Sequence, residues 1–128
     1  MTLDARQYLL ERFTTDATTL RARAEALRTR PPSAGPDAAT SAQMAEACEH
    51  VADLVRSLPE NEPAGIMLQS LATLTFPLDD LSRAHASAPA VRSVYAGAAT
   101  RIRELLAAED AAERHRDATA TRRPGGDA

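Results

Sequence analysis

Residues 87–106 read SAPAVRSVYAGAATRIRELL, and this stretch decides the fold. Val91, Val94, Tyr95, Ala98, Ile102, Leu105 and Leu106 recur at steps of three and four. That spacing lays them on one face of an α-helix and does not fit the two-residue alternation of a strand. Ser87 is placed to cap the helix, and Pro89 suits its first turn, where a missing N–H leaves no bond unmade. The run Ala96-Gly97-Ala98-Ala99 is small enough to let a neighbouring helix approach closely. The pattern fades near His115, so the helix is expected over 88–115. Residues 117–128 have no periodicity and end in RRPGGDA, which reads as a disordered tail.

The same period recurs upstream. Residues 3–29 carry a stripe of Leu3, Leu10, Phe13, Ala17, Leu20, Ala24 and Leu27, with Thr2 as a possible cap. Arg21, Arg23, Arg28 and Arg30 crowd the C-terminal end of this stretch, where positive charge complements the helix dipole. Pro31-Pro32 stops it, because a residue preceding proline is pushed out of the α region. Residues 37–58 form a second helix behind Asp37 or Ser33, with Met44, Ala47, Cys48, Val51, Leu54, Val55 and Leu58 facing inward. Its other side is acidic.

The third helix, residues 63–86, is unlike the others. No charged residue occurs from Pro63 to Leu78, and Ile66, Met67, Leu68, Leu71, Leu74, Phe76 and Leu78 spread over most of the circumference. Such a helix is expected to be buried all round. Alternatively, its surplus apolar surface lines a partner groove, a homodimer face or a small pocket, with Ile66, Leu68 and Phe76 as the candidate interface. Pro77 inside the pattern removes one backbone hydrogen bond, so a kink or a break is expected there.

Composition narrows the function classes. Of the 128 residues, 44% are hydrophobic, but 28 residues are alanine, so the core must be lean. All 15 basic residues are arginine, a bias that suggests GC-rich, bacterial coding. A net charge of −3 argues against general nucleic-acid binding. No apolar run approaches the roughly 18 residues that span a bilayer. Met1-Thr2-Leu3-Asp4 enters a helical pattern without a basic stretch and apolar run behind it, so no signal peptide is read and the cytoplasm is the expected location. The one cysteine, Cys48, allows no internal disulfide.

Chemistry-bearing clusters are few. Glu46, Glu49, His50 and Asp53 share adjacent turns of the second helix and have metal-ligand chemistry. The inward stripe through Met44, Val51 and Leu58 turns the three carboxylates toward water, and no Glu-x-x-His of the di-iron kind occurs in the chain. His50, His85 and His115 sit at different heights on their helices and are not expected to converge. His85 is expected to be a partly buried residue near its helix end, bonded to a carbonyl. No glycine-rich phosphate loop is present.

The sequence therefore predicts an all-α protein, an antiparallel up-down-up-down four-helix bundle over residues 1–116 whose third helix is kinked at Pro77. A helical pair that assembles only as a dimer is the structural alternative. The expected function is that of a non-enzymatic interaction protein, binding a protein partner or a second copy through its third helix, with no cofactor, catalytic or metal residues, nucleic acid or membrane. The alternative is a bundle that binds a small ligand or a metal and acts as an enzyme. That would need an internal cavity with polar groups pointing in.

Overall fold

The structure, a computed structural model, describes residues 5–29, 37–60 and 62–121. These fold into four helices: α1 (Ala5–Arg28), α2 (Ala38–Arg56), α3 (Ala64–Ala84) and α4 (Pro89–Thr121). No strand occurs among the described residues. The possible caps Thr2 and Ser33, the double proline and residues 122–128 lie outside them.

Local chemistry sets the boundaries. The Asp37 carboxylate accepts the Thr40 N–H at 2.7 Å and caps α2. Proline 63 flanks α3 without a side-chain cap, and its carbonyl accepts the Met67 N–H at 2.9 Å. At the start of α4 the expected cap shifts by one residue. Pro89 opens the helix and the Ala88 carbonyl accepts from Arg92 at 2.9 Å, so Ala88, not Ser87, is the flanking residue.

Two boundaries depart from the sequence reading. Helix α4 does not end at 115 but runs to Thr121, so residues 117–121 are helical. The side chains of residues 113–119 are exposed, so packing does not hold this end. Local contacts hold the helix there: Arg114 pairs with Asp110 at 3.3 Å, and the Thr119 hydroxyl donates to the His115 carbonyl at 2.9 Å. Loss of an apolar stripe is not loss of a helix. Pro77 is also accommodated within the single helix α3, with no break. It lies on the exposed side, so the Thr73 carbonyl that it leaves without a donor is on the side of water.

The core joins all four helices around Leu9, Val51, Val55, Leu71, Leu78, Ala98 and Ile102, each with no exposed surface. Helix α1 packs most broadly on α2, and α3 on α4. The two pairs meet mainly through α2 and α4 rather than through α2 and α3, its neighbour in sequence. In α1 the seam passes through Leu9, with Leu10 only half-buried, and it includes an arginine.

That arginine is Arg6, buried at 7% exposure. Its Nε donates to the Leu58 carbonyl and its Nη2 to the Arg56 carbonyl, both at 3.0 Å. These carbonyls belong to the last turn of α2 and the residues just past it, where no further helical N–H is available. The sequence reading passed over Arg6 because charge is normally excluded from a seam.

Helix α3 is not buried all round. Met67, Leu71, Leu74, Thr75 and Leu78 face the core, while Ile66 is 49% exposed and Phe76 69% exposed. No described residue covers the other side of α3 at these positions.

Leu71→Ala should lower unfolding free energy by about 2–5 kcal/mol through lost transfer energy plus a cavity. Arg6→Met, which keeps the aliphatic stem but leaves both carbonyls without their donor, should lower it by about 1–3 kcal/mol. Urea unfolding followed by circular dichroism checks both. A change under half a kcal/mol for either would show that the site is not held as described.

Candidate functional site

The outward face of α3 follows from its period. Ile66, Gln69, Thr73 and Phe76 succeed one another at steps of three, four and three, so they share one side of the helix. All four are exposed, and the strip carries no charge. At its C-terminal end Asp79 is paired with Arg103 of α4, and Asp80 with Arg83. Of the three residues expected to form an interface, Ile66 and Phe76 therefore lie on the open face. Leu68 is half-buried, at the margin between that face and the core. Ile66 and Phe76 stand at the two ends of this strip, about 15 Å apart along the helix, with the uncharged polar residues Gln69 and Thr73 between them.

A second region is one that the sequence reading kept apart. His50 of α2 and His85, just past α3, both meet Tyr95 of α4. The Tyr95 ring lies 5.8 Å from His50, edge to face, and 5.3 Å from His85, tilted. His50 Nδ1 and the Tyr95 hydroxyl are hydrogen-bonded at 3.0 Å. His85 Nδ1 lies 2.8 Å from the Leu81 carbonyl. A carbonyl only accepts, so Nδ1 donates and the neutral ring keeps its lone pair at Nε2. The three histidines do not converge, since His115 stands exposed far along α4, but His50 and His85 share one cleft around Tyr95, a pairing the sequence reading did not consider. The pairing was hidden because it depends on α2 packing against α4. Gln43, Glu46, Ala47, Ala88 and Val91 complete a cleft of about 460 Å³ around these rings. Burial pushes the Tyr95 hydroxyl above its ordinary value, with Cys48 and Glu46 adding to the effect.

The acidic cluster of α2 is dispersed among separate partners. Glu49 takes the Arg21 guanidinium, with Nη2 to Oε2 at 2.8 Å, Asp53 takes Arg56, and His50 takes Tyr95. The Arg21 hydrogen bond holds the Glu49 carboxyl below its usual range. Among the described residues no three histidine, cysteine or acidic side chains are placed to share a metal ion. Arg28 pairs with Glu25 at 3.0 Å, so two of the arginines near the end of α1 already have acidic partners. Arg30, Arg122 and Arg123 lie outside the described residues.

Cys48 is 4% exposed. Desolvation, with smaller contributions from Asp16 and Glu49, pushes its thiol up to about 11. At neutral pH it is a small hydrophobe rather than a nucleophile.

Comparison of the chain with known protein families, curated proteins and solved structures finds no match. No helix is long and apolar enough to cross a membrane, among the described residues. The functional reading therefore rests on this chain's own side chains.

The raised thiol gives a signed pH dependence. The folded chain holds the Cys48 proton more tightly than the unfolded chain does. Its contribution to stability is complete below the unfolded value, near 9.0, and is lost as pH rises towards about 11. Tyr95, also raised, acts in the same direction. Thermal melts from pH 7 to 10.5 should fall less steeply for Cys48→Ala than for the wild type. Alkylation of the native thiol at pH 8 should be slower than in urea by on the order of a hundredfold from ionisation alone. Equal alkylation rates would place the thiol in water.

Proposed function

We propose that this chain is a non-enzymatic interaction protein that presents the outward face of α3 to a protein partner. The observation that carries the reading is the exposure of Phe76, at 69%, on the same uncharged helical face as Ile66, at 49%. In a chain with only two phenylalanines and a core largely of small residues, one phenylalanine stands outside the core. The absence of charge from Pro63 to Leu78 supports the same reading, because a solvated helical face normally carries charge. Aromatic side chains on an uncharged patch are the typical anchors of protein interfaces.

The scaffold that presents this face is, in this reading, an antiparallel up-down-up-down bundle. The start of α1 reaching the end of α2 through Arg6 supports opposite directions for that pair. The short connection over residues 85–88 supports it for α3 and α4. A bend at Pro77 would curve the exposed face of α3. The arginine-only basic set and the single protonated thiol suit a protein of the bacterial cytoplasm.

The test is a charge placed on the open face. Phe76→Glu should change unfolding free energy by no more than about 0.5 kcal/mol, as at other exposed sites. It should abolish the crosslinked product formed when a photoreactive side chain at Ile66 is irradiated in the native host, and any self-association seen by sedimentation. Leu71→Glu, by contrast, should unfold the chain. If crosslinking and sedimentation are the same with and without Phe76→Glu, this face is ordinary surface and the proposal falls.

A further inference from the structure

The broad packing of α2 against both α1 and α4 leaves those two outer helices with little direct contact. Between them runs a groove of about 380 Å³, within the range of small-molecule sites, whose lower limit is roughly 300 Å³. Met44 and Cys48 of α2 line its floor; Phe13 and Leu20 of α1 and Val94 and Ala98 of α4 line its walls. At the edge stand Arg12, Asp16 and Arg101. Arg12 and Asp16 neutralise each other at 3.4 Å. Arg101 donates only to an uncharged partner, the Tyr8 hydroxyl at 3.1 Å, and no described carboxylate pairs with it. The groove thus combines an apolar interior with one uncompensated positive charge.

Gly97 is an independent observation. It borders the groove in the middle of α4, where glycine destabilises a helix relative to alanine. Close helix packing, the role its small neighbours suggest, does not explain it. Gly97 is exposed, and a Cβ built there meets nothing within 4 Å. Gly97 lines the groove, so a longer side chain at this position would stand at its edge.

We infer that this groove binds a small apolar monoanion, an alkyl or aryl carboxylate or sulfonate, with its body against Phe13, Met44 and Val94 and its acid group at Arg101. The proposal is separate from the α3 interface. A neutral apolar molecule would leave the Arg101 charge unanswered, and an organic cation would be repelled by it. The uncharged floor, with its protonated thiol, suits a hydrocarbon body.

The experiment uses a matched pair of fluorescent probes on the full chain: anilinonaphthalene sulfonate, and phenylnaphthylamine, which has the same skeleton without the acid group. The anionic probe should bind one to one, tighter than the neutral one by about tenfold or more, as one charge-assisted contact implies. Octanoate should displace it. Arg101→Gln should remove the preference for the anion while neutral binding persists, and Arg101→Lys should restore it in part. Gly97→Leu should weaken both probes, at an exposed helical position where a Cβ meets nothing within 4 Å; circular dichroism confirms that each variant is folded. Bound probe should slow alkylation of Cys48. Phe76→Glu should leave probe binding unchanged, which separates this site from the face of α3. Equal affinity for the two probes, undiminished binding to Gly97→Leu, or loss of binding in Phe76→Glu would each overturn the proposal. So would non-saturating binding of several probes per chain.

Discussion

The Arg6 guanidinium is the contact on which the rest of the fold rests. A charged side chain stands in the seam of α1 because the end of α2 leaves carbonyls that need donors. With both bonds made, burial of the charge is compensated by charge-assisted hydrogen bonding, and Glu60 lies 3.9 Å away at the surface. The interaction fixes more than one helix end. It is one of several ties between α1 and α2: Phe13 and Cys48 belong to the same core cluster, and Arg21 pairs with Glu49. Without these ties, two alanine-rich helices would have few large side chains to resist sliding.

Small residues then determine how the pairs assemble. On α2, Ser41, Ala45, Ala47, Cys48 and Ala52 are buried along with Val51 and Val55, so the helix contributes backbone proximity and only two bulky core side chains. It is covered on two sides, by α1 and by α4, and its large residues Met44 and Leu54 are left only half-buried. On the α4 side, Ala98 and Ala99 are fully buried where Tyr95 and Ile102 supply the volume. Dispersion gained from many close contacts takes the place of a few large side chains. The consequence is geometric. Two helices flanking a third do not close on each other, and the space between α1 and α4 remains open.

What was legible in the sequence follows from period. Steps of three and four are enforced by helix geometry, so all four helices and the inward direction of Leu71, Leu74 and Leu78 could be read directly. What was not legible depends on which helix neighbours which. The meeting of His50 with His85 over Tyr95 requires α2 beside α4, and no local pattern encodes that choice. Arg6 was missed because it breaks the apolar rule, although the free carbonyls past residue 54 are a foreseeable demand. The end of α4 is not legible from an apolar stripe, because residues 113–119 are exposed and have only local contacts such as Arg114–Asp110 and Thr119–His115. The exposure of Ile66 and Phe76 lay between two readings, full burial and an open face, and only the number of helices available to cover α3 decides between them.

Positions 75 and 76 bring these strands together. Thr75 is buried, at 6% exposure, and its hydroxyl is satisfied within the helix by the Ala72 carbonyl at 2.6 Å. Phe76, the next residue, points out. An exchange of the two would place an aromatic ring in the core and a hydroxyl in water, the arrangement that hydrophobic burial alone favours. Rotating α3 to bury Phe76 is no remedy, since Leu71, Leu74 and Leu78 fix the inward direction and would have to leave. Nor does the core lack apolar residues for want of supply, because Ile66 lies on the same open side. The order of these two residues therefore runs against monomer stability at a position where the chain is otherwise consistent. Such local inconsistency is where function is best sought, and here it argues for an apolar face kept outside the core.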